Sequence, residues 1–248
     1  MDQLRISTIT AILKLSQRVD LKKVYDGIPI LDGYIPFIEY GVENGYKGFS
    51  IKLTKKKRKK KSKKTFYNQV TIHIIHDGKI MNVKMFNNGR IQITGLKNEK
   101  QPIDLVSKFL LYLKDLNIIE EEAEIIDNDI VLINSDFDMG YEISRDILHR
   151  DIIEADIYSS YEPCIYPGVN IKFFINEYNY EQGICSCYKM CNGKGNGCGD
   201  GNCKKVTIAV FKSGKIIITG GRNREQIEKS YNFIKKFIDS NKERYVLK

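Results

Sequence analysis

An α+β fold of two tandem repeats, with helices packed on one face of antiparallel sheet, is what this sequence predicts, and three observations carry it. Residues 84–101, KMFNNGRIQITGLKNEKQ, recur at 209–226 as AVFKSGKIIITGGRNREQ with a constant offset of 125. Each copy alternates its side chains as a half-buried strand does. Each is followed by an apolar stripe at helical spacing. The copies share Phe86/Phe211, Gly89/Gly214, Ile91/Ile216, Ile93/Ile218, Thr94/Thr219, Gly95/Gly220, Asn98/Asn223 and Gln101/Gln226. A fainter echo at an offset of 120 sets YKGFSIKL at Tyr46 against YPGVNIKF at Tyr166. The chain therefore divides into repeats at 1–119 and 130–248, joined by an acidic linker at 120–129.

Within each copy a strand ends in Phe, a Gly-bearing turn follows (NNG or KSG), a second strand alternates, and Thr-Gly leads into a helix. Asn98 and Asn223 suit the helix N-cap, with Gln101 and Gln226 placed to reach back as in a capping box. The first long helix stripes Leu105, Phe109, Tyr112 and Leu116; the second, over 224–238, stripes Ile227, Tyr231, Ile234 and Ile238. Shorter helices are expected at Leu21–Tyr25 and Tyr141–Ile153. Ile91 and Ile93, like Ile216 and Ile218, share the strand face that helices cover. Gln92, Thr94, Ile217 and Thr219 share the other, which carries few charges and suits an occupied surface.

Composition narrows the function. No stretch approaches 18 uninterrupted apolar residues, and the start MDQLRISTIT lacks a signal-peptide layout, so an intracellular protein with no membrane partner is expected. Nine of the 40 basic residues lie in KKKRKKKSKK at 55–64, which equals the whole formal excess of +9. Such a tract is a solvated loop or a polyanion-binding segment. Five of the six cysteines fall between Cys185 and Cys203, which disfavours a disulfide scaffold. Cys185, Cys187, Cys191, Cys198 and Cys203 lie among glycines and read in two ways, as four ligands of a structural zinc with one spare or as free thiols. No other cofactor is called for. His73, His76 and His149 stand in no recognisable catalytic motif, and Asp136 and Asp138 read as turn residues, so no enzyme is expected.

The residues YSSYEPCIYPGVNIKF and VFKSGKIIITGGR, with ISTIT, DLKK and FNNGRIQITG in the first half, resemble the TATA-box-binding protein family. The resemblance covers most of the chain outside two insertions. It implies a pseudo-twofold saddle that binds and bends A/T-rich DNA from the minor groove. The family's four aromatic wedges fall on Tyr46, Phe86, Tyr166 and Phe211, and its phosphate contacts on Lys52, Arg90, Lys172 and Lys215. The family's two central Asn residues fall on Leu4 and Leu132, which removes both polar contacts. Asn134, on the same strand face as Leu132, and Gln92 are the candidates to compensate. Glu162 matches a contact for a transcription factor IIB-like partner that brings RNA polymerase, while Cys164 stands where the family has an acid.

Both insertions are expected in corresponding stirrup loops, at about 54–79 and 177–204. QVTIHIIH in the first reads either as an added strand or as the second strand of the half. Richness in Lys, Ile, Asn and Tyr, with the insertions, points to a large DNA virus. The nucleus, a virus factory or the virion is then the expected location. The alternative to a DNA-bending initiation factor is a scaffold of the same fold in a transcription complex, with little sequence readout. A weaker third reading is an accessory domain of a nuclease or glycosylase.

Overall fold

The computed structural model describes residues 4–41, 45–49, 67–176 and 183–247. Two compact units emerge, one of Ile9–Val131 and one of Met1–Thr8 with Leu132–Lys248. The first unit holds most of β1 (Arg5–Leu15), then α1 (Leu21–Gly27), β2 (Phe37–Tyr40), β3 (Tyr46–Gly48), β4 (Gln69–His76), β5 (Lys79–Phe86), β6 (Arg90–Leu96), α2 (Gln101–Asp115) and the start of β7 (Ile125–Asp138). Its strands lie antiparallel in the order β3-β2-β4-β5-β6-β1. The second unit holds the end of β7, α3 (Arg145–Glu154), β8 (Tyr158–Ser160), β9 (Val169–Ile175), β10 (Lys204–Val210), β11 (Lys215–Gly221), α4 (Arg224–Ser240) and α5 (Lys242–Tyr245). Its strand order is β7-β11-β10-β9-β8, also antiparallel. Residues 125–129 are strand rather than connection. No described helix is long and apolar enough to cross a membrane.

Strand alternation decides which face is core. Ile91, Ile93, Ile216 and Ile218 are fully buried, each worth roughly 1.5–3 kcal/mol of transfer free energy. Helix α4 lays Ile227, Ile234 and Ile238 in the core of its unit, and Tyr231 sets its ring edge-on to Phe137 at 4.7 Å. Helix α2 buries Leu105, Val106, Phe109, Leu110 and Leu113; Leu116 is its C-cap. Asn223 caps α4 by accepting from Gln226 N at 2.9 Å, and Gln226 Oε1 reaches back to Arg222 N at 2.8 Å. In the first repeat Asn98 accepts from Gln101 N, and Gln101 Oε1 from Lys97 N and Asn98 N. The helix there begins at Gln101 with Lys100 as N-cap. Helix α3 starts at Arg145, later than the expected Tyr141, because Ile143 is held extended in a bridge to Val246.

The ladders fix which residues are equivalent. Met85↔Ile91 and Val210↔Ile216 repeat the offset of 125. Val70↔Met85 then matches Val169↔Val210, so β4 is the counterpart of β9 and QVTIHIIH is the second strand of its half. The strand at Tyr46 is an additional strand that, among the described residues, pairs only with β2. That corrects the expected placement of the insertions. The first lies before β4, whereas the second separates β9 from β10. Between β4 and β5 stands only the tight turn Asp77-Gly78, with φ of 50° and 68°.

Gly89 and Gly214 close the matching hairpins β5–β6 and β10–β11 at φ of 82° and 84°, and a Cβ there would lie 2.2 Å from Gln17 O and 2.3 Å from Tyr141 O. Replacing either with Ala should cost about 1–3 kcal/mol in urea unfolding. Gly33→Ala, where nothing lies within 4 Å of the added carbon, should be near neutral.

Candidate nucleic-acid interface

The strand face turned away from the core collects the side chains that sequence reasoning singled out. In the second unit β11 presents Lys215, Ile217 and Thr219, and antiparallel register sets them opposite Asp138, Asp136 and Asn134 of β7. Thr219 Oγ1 donates to Asn134 Oδ1, which fixes the amide in the plane of the face. Asp136 and Asp138 are therefore strand residues, a correction to their reading as a turn, because β7 runs 14 residues without a break. Asp136 pairs with Arg5 at 2.6 Å and accepts from Ser7 Oγ. A cleft of about 1000 Å³ lies over this region, bordered by Arg5, Thr8, Asn134, Phe211, Lys215 and Ile217.

Beside this cleft, Tyr166 and Phe211 meet edge to face at 5.7 Å. Both rings rest on Gly168, where a Cβ would come within 3.0 Å of Tyr166 and 3.2 Å of Phe211. The glycine is what lets the two aromatics close together, and Tyr166 remains 40% exposed. Arg145 holds the preceding loop, stacking on Tyr161 at 5.2 Å and donating to Pro167 O. Glu162 is exposed in that loop, its carbonyl accepting from Ile165 N and Tyr166 N at 2.9 Å. Lys172 donates to Thr207 Oγ1 at 3.1 Å, and burial together with the neighbouring Lys205 charge holds its ammonium below the usual lysine pKa.

The first unit presents the equivalent face differently. Gln92 lies between Ile12 and Lys84, Thr94 between Thr10 and Asn82, and Arg90 opposite Lys14. Phe86 stands at the end of β5, opposite Gln69. The counterpart of Tyr166 in this register is Tyr67, three residues before Val70 as Tyr166 is before Val169. Tyr67 is 65% exposed, whereas Tyr46 of β3 stacks on Phe37 at 6.2 Å. Likewise the counterpart of Lys172 is His73, which packs on Phe37 at 4.8 Å. Lys52 and the basic tract at 55–64 lie outside the described residues. Ile9↔Leu96 and Ile133↔Gly221 make Thr8, not Leu4, the counterpart of Leu132, and the buried Thr8 Oγ1 has no hydrogen-bond partner among the described residues. Leu4 lies just ahead of β1.

The family profile described as transcription factor TFIID (or TATA-binding protein, TBP) matches residues 130–240. A TATA-box-binding protein-like protein of Acanthamoeba polyphaga mimivirus is 30% identical over 95% of this chain, and the chain spans 65% of that relative's length. The chain is similar to the TATA-box-binding protein family. The TATA-box-binding protein of Dictyostelium discoideum is 25% identical over 92% of this chain and 93% of its own. In fold the chain is similar to Methanococcus jannaschii TBP, with a TM-score of 0.54 and 19% identity, covering 98% of this chain and 99% of that one.

Register brings to these places four residues that sequence reasoning did not single out, Tyr67, Thr8, Lys14 and Lys84. The signal for Tyr67 was present. Asp-Gly between alternating apolar runs marks a hairpin, and pairing back from Phe86 across it reaches Tyr67. Of the five clustered cysteines, Cys185, Cys187, Cys191 and Cys203 bring their sulfurs within 4.8 Å of one another and can hold a metal. Cys198 stands apart, exposed.

Proposed function

We propose that this chain is a non-enzymatic transcription initiation factor that binds A/T-rich promoter DNA in the minor groove, bends it by aromatic wedging and recruits polymerase machinery. Its wedges are Tyr67 and Phe86 in one repeat and Tyr166 and Phe211 in the other. The observation that carries this reading is the Tyr166–Phe211 pair seated on Gly168, beside a face of amides, hydroxyls and aliphatic groups. Flat, partly exposed rings on the open sheet face suit insertion between base steps. The amide N–H groups of Asn134 and Gln92 offer the short polar contacts that A N3 and T O2 accept. Arg90, Lys215, Lys172, Lys14 and Lys84 border the face and suit phosphates. Glu162 is available to a transcription factor IIB-like partner, and the mimivirus likeness favours a large DNA virus as the source.

Bending is tested by end-labelled fluorescence transfer on a short A/T-rich duplex. Wild type should bend it saturably, the Tyr166→Ala/Phe211→Ala double variant should not, Tyr67→Ala should weaken bending, and Tyr46→Ala should leave it unchanged. Absence of bending by wild type at low salt would leave the scaffold as the surviving reading.

Two electrostatic consequences follow from the second unit. Asp136→Asn removes a carboxylate from the face and releases Arg5, so affinity for the duplex should rise roughly threefold to tenfold at low salt and depend more steeply on salt. Lys172 has a lowered pKa when free, and a phosphate favours its charged form, so binding takes up a proton. Affinity should therefore fall as pH rises towards the ordinary lysine pKa of about 10.4, and Lys172→Arg should flatten that slope in a titration series.

A further inference from the structure

We propose that Cys185, Cys187, Cys191 and Cys203 bind one zinc ion as four thiolates, and that this ion clamps the ends of β9 and β10 together. The proposal stands on geometry independent of the DNA-facing surface. All four sulfurs lie within 4.8 Å of one another, and Cys187 and Cys203 are 3.5 Å apart. A tetrahedral site with Zn–S bonds of about 2.3 Å sets its sulfurs about 3.8 Å apart, so the cluster reaches that arrangement by a contraction of about an ångström at most. A four-iron cluster holds its thiolates farther apart than a single ion does, which makes this cluster too tight for one.

The surrounding backbone is arranged for sulfur that carries negative charge. Gly201 N donates to Cys187 Sγ at 3.0 Å and Gly193 N to Cys191 Sγ at 3.3 Å. Such N–H donors orient thiolate ligands and offset their charge. The glycines are required by space as well as by hydrogen bonding. A Cβ on Gly199, at φ of 92°, would lie 2.8 Å from Cys187 Sγ, and one on Gly201 would lie 3.0 Å from Cys187 Sγ and 3.2 Å from Cys203 Sγ. Cys198 belongs to none of this, since it is exposed and directs its thiol at Met190 O, 3.8 Å away.

Cys203 immediately precedes β10 and is fully buried, its thiol donating to Asn176 Oδ1 at 2.7 Å, a bond given up with the proton when metal binds. Asn176 immediately follows β9 and donates to Ile184 O at 2.9 Å. Single-residue bridges Phe174↔Gly183 and Lys194↔Lys204 stitch the loop to both strands. A metal at the cysteines therefore closes a loop whose two ends are adjacent in the sheet. Binding converts four thiols to thiolates with release of their protons, without any change of oxidation state.

The test uses the full chain purified under reducing conditions from zinc-replete cells. Elemental analysis should give about one zinc per chain. Exchange for Co²⁺ should give the visible d–d bands and sulfur charge-transfer absorption of a tetrahedral tetrathiolate. Cys198→Ser should keep the metal, and Cys187→Ser/Cys191→Ser should lose it. Should the double variant fail to fold, the Co²⁺ spectrum of the unaltered chain decides alone. A metal-free protein that gives no tetrathiolate spectrum on reconstitution, or intact mass showing these four cysteines joined as two disulfides, would overturn the assignment. Each of these readouts is made without DNA, so it stands or falls separately from the bending experiment.

Discussion

Burial on one face only is the constraint from which the rest of this molecule follows. In each unit Ile and Val side chains of the strands are driven against helices, and period-2 alternation then forces every intervening residue onto the opposite face. A slip of one residue would exchange the two sets, so the register is held by the full apolar area of the unit. The face left over is a by-product of that burial, and its contents are free to change without cost to the core. Tyr166, Phe211, Ile217 and Thr219 all sit there because Val169, Val210, Ile216 and Ile218 are held on the buried side.

The repeat itself was legible because hairpins with Gly at positive φ and Phe before the turn tolerate little variation, and so β5–β6 and β10–β11 kept the same spacing. Equivalences farther from those hairpins were not legible from a constant offset. Chain inserted ahead of β4 and between β9 and β10 changes the spacing without changing the ladder, so Tyr46 imitates Tyr166 in local sequence while Tyr67 occupies its place in the register. Matching by residue likeness favoured Tyr-x-Gly, whereas hydrogen-bond pairing favoured the strand that crosses Asp77-Gly78. Thr8 and Leu4 are as hard to tell apart, since no turn lies near the start of β1 to fix the count. The choice of four cysteines among five depends on how the glycine-rich loop turns back on itself, which spacing alone does not encode.

The repeats share a backbone and differ in chemistry on the open face. Where the first has Ile12 and Lys14, the second has Asp136 and Asp138, and where the first has His73 the second has Lys172. Strand geometry is thus preserved by the core, while charge and polarity on the face have diverged position by position. The asymmetry extends to the loops, with a cysteine cluster between β9 and β10 and only two turn residues at the matching place in the other repeat.

Arg5 and Ser7 bond Asp136 across sequence separations of 131 and 129 residues, within the unit that also holds Leu132–Lys248. The boundary written in the sequence is therefore not the boundary at which the chain can be divided. During synthesis Arg5 and Ser7 find their partner in the sheet only after Asp136 has been made. Such distant pairings are closed late and at high entropic cost, which makes for slow folding. The second unit is consequently complete only when the residues ahead of Ile9 have reached β7.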